Sequence, residues 1–168
     1  MRAVVQRVKS ASVSVDGKVI SSTGPGLLCL IGIKTGDTEA DQDYLCRKIL
    51  SCKLWPSADS GRAWSESVSD RGGELLLASQ FTLFARTVKG TKPDFHIAMA
   101  PTQAQEFYAN FVERMRAAYV RDRVQDGIFG AMMDVALVND GPVTIILDSI
   151  LIYGAVAHAV DLPSRPAD

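Results

Sequence analysis

Two short polar clusters about sixty residues apart carry the residue types that could do chemistry. The first is Ser79-Gln80-Phe81-Thr82-Leu83, following Glu74 and the apolar run Leu75-Leu76-Leu77-Ala78. The second is Asn139-Asp140-Gly141-Pro142-Val143-Thr144, following the run 132–138. In each, an apolar segment gives way abruptly to small hydrogen-bonding residues. A strand that stops burying itself and offers hydroxyls, an amide and free backbone N–H groups makes a pocket floor. Thr82 would act as a nucleophile only beside a base. The backbone N–H groups of 79–82 could instead stabilise an oxyanion, which needs no titratable side chain. The competing readings are structural: Phe81 and Leu83 as core, and 139–144 as a hairpin turn. Against the second stands Pro142, which lacks the N–H that a ladder position normally donates.

Only His96 and His158 offer an imidazole. His96 lies in Pro93-Asp94-Phe95-His96, inside a basic loop, where it is a candidate general base or pocket-shaping residue against the plainer reading of an ordinary loop position. His158 reads as structural. No serine-hydrolase elbow, phosphate-binding loop, zinc-protease helix or dinucleotide fingerprint is present.

These clusters need elements to hold them. Residues 2–8 and 11–15 read as strand, and Asp16-Gly17 as a hairpin turn before Lys18-Val19-Ile20. Residues 27–33 read as a central strand. Asp37 or Thr38 caps a helix whose apolar positions Ala40, Tyr44, Leu45, Ile49 and Cys52 recur at three- and four-residue steps. Residues 56–72 suggest loop and a short hairpin, 75–83 a strand, and 85–100 a long, partly basic loop of the kind that is more often functional than idle. Thr102-Gln103-Ala104-Gln105 fits a capping box, opening a helix to about residue 122. Residues 132–138 and 142–148 read as two strands meeting at the Gly-Pro turn, 150–160 as strand then loop, and 162–168 as a frayed end. Strands outnumber interspersed helices, so the class is α/β or α+β with a mixed sheet.

The chain has 168 residues, enough for one domain over 1–168. It is 47% hydrophobic with a formal net charge of −1. That charge disfavours a protein that coats nucleic acid along its length; any contact should be small, such as one end of a strand. No apolar run approaches the roughly 20 residues of a membrane span. Cys29, Cys46 and Cys52 are odd in number, lack Cys-x-x-Cys spacing and read as packed thiols in a reducing, cytoplasmic setting.

Taken in order, several motifs resemble those of the D-aminoacyl-tRNA deacylase family in its common bacterial and eukaryotic form. They are Met1-Arg2-Ala3-Val4-Val5-Gln6-Arg7-Val8, Arg47-Lys48-Ile49-Leu50, Ser79-Gln80-Phe81-Thr82-Leu83, Lys89-Gly90-Thr91-Lys92-Pro93-Asp94-Phe95, Phe107-Tyr108 with Phe111, residues 127–131, and Asn139-Asp140-Gly141-Pro142-Val143-Thr144. The resemblance implies a single α/β domain of mixed, largely antiparallel sheets, with two main helices packed on one side in β/β/α layers. It also implies a cytoplasmic homodimeric hydrolase cleaving the ester between a D-amino acid or glycine and the 3′-terminal adenosine of tRNA; no cofactor and no metal-ligand set is expected from the residues. Its carry-over assigns catalysis to Ser79, Gln80, Phe81 and Thr82, with the Phe81 N–H as oxyanion donor and the substrate 2′-hydroxyl assisting water attack. It assigns chiral selection to Asn139, Gly141, Pro142, Val143 and Thr144. There a cis Gly-Pro pair reaches into the other subunit's site and its glycine carbonyl rejects an L side chain. Arg86, Lys89, Lys92, Phe95 and His96 are candidates for contact with the tRNA's CCA end. The runner-up is a non-catalytic nucleic-acid-binding dimer that uses the same basic loop.

Overall fold

Strand β1 (Arg2–Val15) runs through the middle of a six-stranded mixed sheet. The structure is a computed structural model that describes residues 1–88 and 90–149. Lys89, the strand-then-loop expected over 150–160, His158 and the frayed end expected over 162–168 lie outside the described residues.

One edge of β1 pairs antiparallel with β6 (Asp134–Asp148) from Ser14↔Asp134 to Arg2↔Asp148. Its other edge pairs antiparallel first with β3 (Gly26–Gly32) and then with β2 (Lys18–Thr23). β4 (Glu74–Ser79) and β5 (Val124–Asp126) extend the sheet in parallel from β3. The order β2-β1-β3-β4-β5 curls, because the Ser21 hydroxyl on β2 donates to the Asp126 carbonyl on β5 at 2.9 Å.

Alternation along the strands fills both faces of the sheet. Leu27, Cys29 and Ile31 on β3 and Leu75 and Leu77 on β4 face one cluster, together with Ala3 and Val5 of β1. Helix α1 (Glu39–Ser51) covers this face through Leu45, Cys46 and Ile49, and helix α3 (Pro101–Ala118) through Tyr108, Phe111, Val112 and Met115. Leu28 and Leu76 point the other way and join Val8, Ala11 and Val13 in a second cluster inside the curl. The expected mixed α/β class, with both main helices on one side, is what the chain adopts.

Four local expectations are corrected. Residues 132–138 and 142–148 are not a hairpin but one continuous strand, β6, because β1 supplies a hydrogen-bonding partner on both sides of the Gly-Pro step. The strand expected over 75–83 stops at Ser79. The Gln80 N–H makes the last bond, to the Ile31 carbonyl at 2.8 Å, and Phe81–Phe84 then wind a 3₁₀ turn that buries Phe84. Helix α3 starts one residue before the expected capping box, with Pro101 at its first position, where no N–H is needed and φ is already helical. It also ends at Ala118 rather than near 122, and the chain passes through a 3₁₀ turn, Arg121–Arg123, into β5.

Within 56–72 the chain forms a further short helix, α2 (Val68–Arg71). Ser67 and Asp70 cap it reciprocally: the Ser67 N–H donates to Asp70 Oδ2 at 2.8 Å and the Asp70 N–H to Ser67 Oγ at 3.2 Å. The Lys53 ammonium, then the Ser67 N–H, hold the Asp70 carboxyl well below the usual carboxylate range.

Phe111 is 0% exposed and sits between helix and sheet. Phe111→Ala should cost about 3–5 kcal/mol by removing its packing and leaving a cavity. That is a large fraction of a typical domain's stability, and chemical denaturation at constant m-value checks it.

Candidate active site

The turn after β4 is held from two sides. Arg2 Nη1 donates to the Leu83 carbonyl at 2.8 Å, and the guanidinium lies 5.0 Å from the centre of the Phe84 ring. Beneath the turn, Gly32 ends β3, and a Cβ there would come within 2.9 Å of Leu83 Cβ and 3.2 Å of the Gln80 carbonyl oxygen. Only glycine lets the turn pack so closely on the strand end.

The first N–H groups of a helical turn have no partner within it. Those of Phe81 and Thr82 have no acceptor among the described residues, and both residues are exposed. The Thr82 hydroxyl accepts a hydrogen bond from Gln80 Nε2 at 2.5 Å. An amide donor cannot take a proton, so this pairing orients Thr82 without activating it. Ser79 is half-buried at the end of β4.

Part of the basic loop folds back onto this turn. Phe95 packs edge-on against Phe81, with ring centroids 5.0 Å apart. Arg86 and Asp94 exchange backbone hydrogen bonds at 2.8 and 2.9 Å. The Asp94 carboxylate accepts from the His96 N–H at 2.9 Å and meets its imidazole Nδ1. These contacts, the backbone N–H first, hold the Asp94 carboxyl below the usual range. The Asp94 carboxylate thus engages the His96 ring nitrogen nearest the backbone. Lys92 is exposed. Lys89 lies outside the described residues.

The second cluster is a bulge in β6. Gln6 pairs with Thr144 and Val8 with Asn139, so Arg7 alone faces 140–143. Arg7 holds the bulge from below. Its Nε donates to the Asp140 carbonyl at 2.9 Å and lies 3.1 Å from the Asp140 carboxylate. Its Nη1 donates to the Leu54 carbonyl, and the guanidinium lies 5.8 Å from the centre of the Trp55 ring. Asn139 Nδ2 donates to Gln6 Oε1 at 3.1 Å. The Gly141–Pro142 peptide bond is cis. Gly141 has φ +131°, in a region that L side chains rarely adopt, and a Cβ on it would come within 2.9 Å of Val143 Cγ2. Gly141 and Pro142 are exposed, while Val143 packs on the main core.

Within one chain the two clusters stand apart. Ser79 is level with Ile31, Ala3 and Leu147, whereas Thr144 pairs with Gln6. Three strand spacings of about 4.8 Å separate β4 from β6 across the sheet, and about 10 Å more accrues along the strand. Ser79, Gln80, Phe81 and Thr82 therefore gather with Arg86, Phe95 and His96, but not with Asn139, Gly141, Pro142, Val143 or Thr144.

Sequence reasoning gave no role to Arg7. Its side chain is only 14% exposed, and β1 also carries Arg2 and Lys9, so nothing in the sequence singles it out. The thiols behave as expected of packed cysteines: Cys29 and Cys46 are buried and Cys52 half-buried, and burial pushes the Cys29 thiol up to about 12.

In this sheet β4 ends in a turn of open N–H groups, and β6 carries a bulge around a Gly-Pro step midway along its length. The model of D-Tyr-tRNA(Tyr) deacylase matches residues 4–148, and the chain belongs to that family. It is similar to the D-aminoacyl-tRNA deacylases of Dictyostelium discoideum (52% identical, spanning 89% of this chain and 98% of the relative) and Yarrowia lipolytica (54%, spanning 89% and 97%). Like these relatives, it is a hydrolase. Among solved structures it resembles "c-Myc DNA Unwinding Element Binding Protein", with TM-score 0.85 and 48% identity over 89% of this chain and 99% of that one. A "probable eukaryotic D-amino acid tRNA deacylase" shares the fold, with TM-score 0.76 at 18% identity over 87% of this chain and 97% of the other. No helix among the described residues is long and apolar enough to cross a membrane.

Arg7→Ala should loosen the bulge without unfolding the sheet. Hydrogen exchange should show faster exchange of the amides in 139–144, while those of α3 stay protected.

Proposed function

We propose that this chain hydrolyses the ester joining a D-amino acid, or glycine, to the 3′-terminal adenosine of tRNA, and spares L-aminoacyl-tRNA. The observation that carries the reading is the pair of unpartnered N–H groups at Phe81 and Thr82, exposed at the start of a rigidly packed turn. In the reaction, water attacks the ester carbonyl carbon, the bond from that carbon to the 3′ oxygen breaks, and the 3′ oxygen leaves with a proton. The products are the free amino acid and a tRNA with a free 3′-hydroxyl. The Phe81 N–H, with its neighbour, meets the negative charge that develops on the carbonyl oxygen. The adjacent 2′-hydroxyl of the substrate guides the water and its proton, so the protein supplies position rather than a base. The Gln80–Thr82 hydrogen bond favours this division of labour over a Thr82 nucleophile.

Chiral selection falls to 139–144. The Gly141 carbonyl, set by the bulge and by Arg7, approaches the substrate α-carbon where an L side chain would stand. A main-chain obstacle rejects every L-amino acid by the same contact.

That obstacle must come from a second subunit, since 139–144 and 79–82 do not meet within one chain. β6 offers the surface for the partner. Its far edge pairs with no strand among the described residues, and Val138 and Ile146 on its outer side are 55% and 65% exposed. A two-fold contact there would carry each bulge toward the neighbouring 3₁₀ turn. A cytoplasmic location suits three unpaired thiols.

A second reading draws on the relative named for binding a DNA unwinding element. A non-catalytic binder should show tight, strongly salt-dependent duplex binding and no ester turnover, which a net charge of −1 disfavours.

The test is deacylation of D- and L-tyrosyl-tRNA at matched enzyme. The D-substrate should be cleared while the L-substrate persists, and equal rates would refute the proposal. In the same assay Thr82→Ala should retain substantial activity. Its complete loss, with fold and tRNA binding intact, would restore the nucleophile. Sedimentation should report a dimer that Ile146→Asp weakens, with activity falling in step.

A further inference from the structure

Beside the 3₁₀ turn lies a groove of about 520 Å³, lined by Arg2, Lys34, Thr35, Phe84, Arg86 and His96. We propose that this groove holds the phosphodiester backbone just upstream of the terminal adenosine, with Lys34 and Arg86 as its phosphate contacts. The proposal rests on the deacylase reading, and adds to it a binding surface that includes Lys34, a residue far in sequence from the basic loop.

The charge balance of the groove supports this. Arg2 is committed to Asp148, with Nη2 2.7 Å from its carboxylate, and to the Leu83 carbonyl. Asp94 is engaged by His96. Asp148 and Asp94 are thus occupied, and the Asp37 carboxylate beside Lys34 holds the Met1 ammonium at 2.7 Å, whereas Lys34 and Arg86 make no salt bridge among the described residues. Two free cations in one concavity attract a diffuse anionic ligand.

The backbone that carries them is fixed. Lys34 pairs with Ala98 in an isolated antiparallel bridge, and its N–H donates to the buried Asp37 carboxylate at 2.8 Å. Arg86 is fixed by its two bonds to Asp94. Neither cation needs a loop to order before it can bind, which lowers the entropic cost of binding.

The groove also borders the turn that carries the proposed reaction centre. Phe84 and Ala85 line it, while Phe81 and Thr82 present their N–H groups at the other end of the same turn. A 3₁₀ turn rises about 2 Å per residue, so roughly 6 Å separates the two ends. That is the scale of a single nucleotide step. Phe81, 57% exposed and buttressed by Phe95, stands at the junction as a ring on which an unpaired base can stack. Cations flanking an exposed aromatic suit single-stranded nucleic acid better than a duplex, whose bases are already stacked. The need is local, which fits a chain with no overall positive charge.

The experiment compares two substrates with the full-length protein. D-tyrosyl-tRNA carries the upstream phosphates, and 3′-O-D-tyrosyl-adenosine carries none. Lys34→Gln, and Lys34→Gln with Arg86→Gln, should raise KM for D-tyrosyl-tRNA, the double variant by about tenfold or more at physiological salt, with kcat little changed. The dependence of log(kcat/KM) on log salt should flatten by about 0.7 for each single-strand phosphate that a variant no longer neutralises. Rates on D-tyrosyl-adenosine should stay at the wild-type level, which also reports an intact fold. Equal losses on both substrates, or no loss on either, would overturn the groove while leaving the deacylase reading standing. A wild-type protein inert on both would overturn that reading, and the groove with it.

Discussion

The pairing of β6 along the whole of β1 brings residue 148 back beside residue 2, and the rest of the sheet takes its register from that ladder. On its other edge the same strand aligns β3, and through β3 the parallel strand β4 whose end becomes the 3₁₀ turn. A register slip of one residue would move every side chain of β1 to the opposite face. Because Ala3 and Val5 belong to one core cluster and Val8, Ala11 and Val13 to the other, such a slip would empty both. The bulge at 140–143 is tolerated only because the ladder resumes on both sides of it. Arg7, the residue it leaves without a partner on β6, satisfies the bulge's carbonyl with its own side chain.

The same ladder sets the distance between the two polar clusters. They occupy different strands and different levels, so their separation is a property of the sheet rather than of any loop. The proposed two-fold pair is what would bridge that separation. The flanking loop behaves differently. Its two ends are tied by the Arg86–Asp94 and Lys34–Ala98 bridges, while Gly90, Thr91 and Lys92 between the ties are exposed.

Much of this was legible in the sequence. The apolar run of Leu75, Leu76 and Leu77, the three- and four-residue spacing of α1 and the long apolar face of α3 each encode burial directly, and each element formed. Boundaries were less legible, for identifiable reasons. Thr102 offers a capping hydroxyl, but Pro101 needs none, and the helix begins there. Phe81 and Leu83 look like strand continuation because an exposed aromatic and a half-buried leucine have the same sequence signature as core. β5 is three residues long with a single buried side chain, too short for any period to register. The continuity of β6 through the Gly-Pro step was hidden because a turn signal is local, while the strand that overrides it lies more than a hundred residues away. The polar residues of both clusters were found from type and order. Arg7 and Lys34 were missed because nothing in their immediate neighbours marks them; only the fold sets them beside the bulge and the groove.

The open N–H groups of Phe81 and Thr82 have a consequence for how such a protein varies. A main-chain donor is supplied by any residue but proline, so its presence is indifferent to which side chain the gene specifies at that position. Side-chain scanning would under-report the importance of the turn, and divergence in its side chains could accumulate without altering the donors. What inheritance must preserve instead is the path of the chain: a glycine beneath, an arginine in front, a strand that ends on time. Replacing single amide bonds by esters, which deletes an N–H and leaves the side chain untouched, would read this layer of information directly.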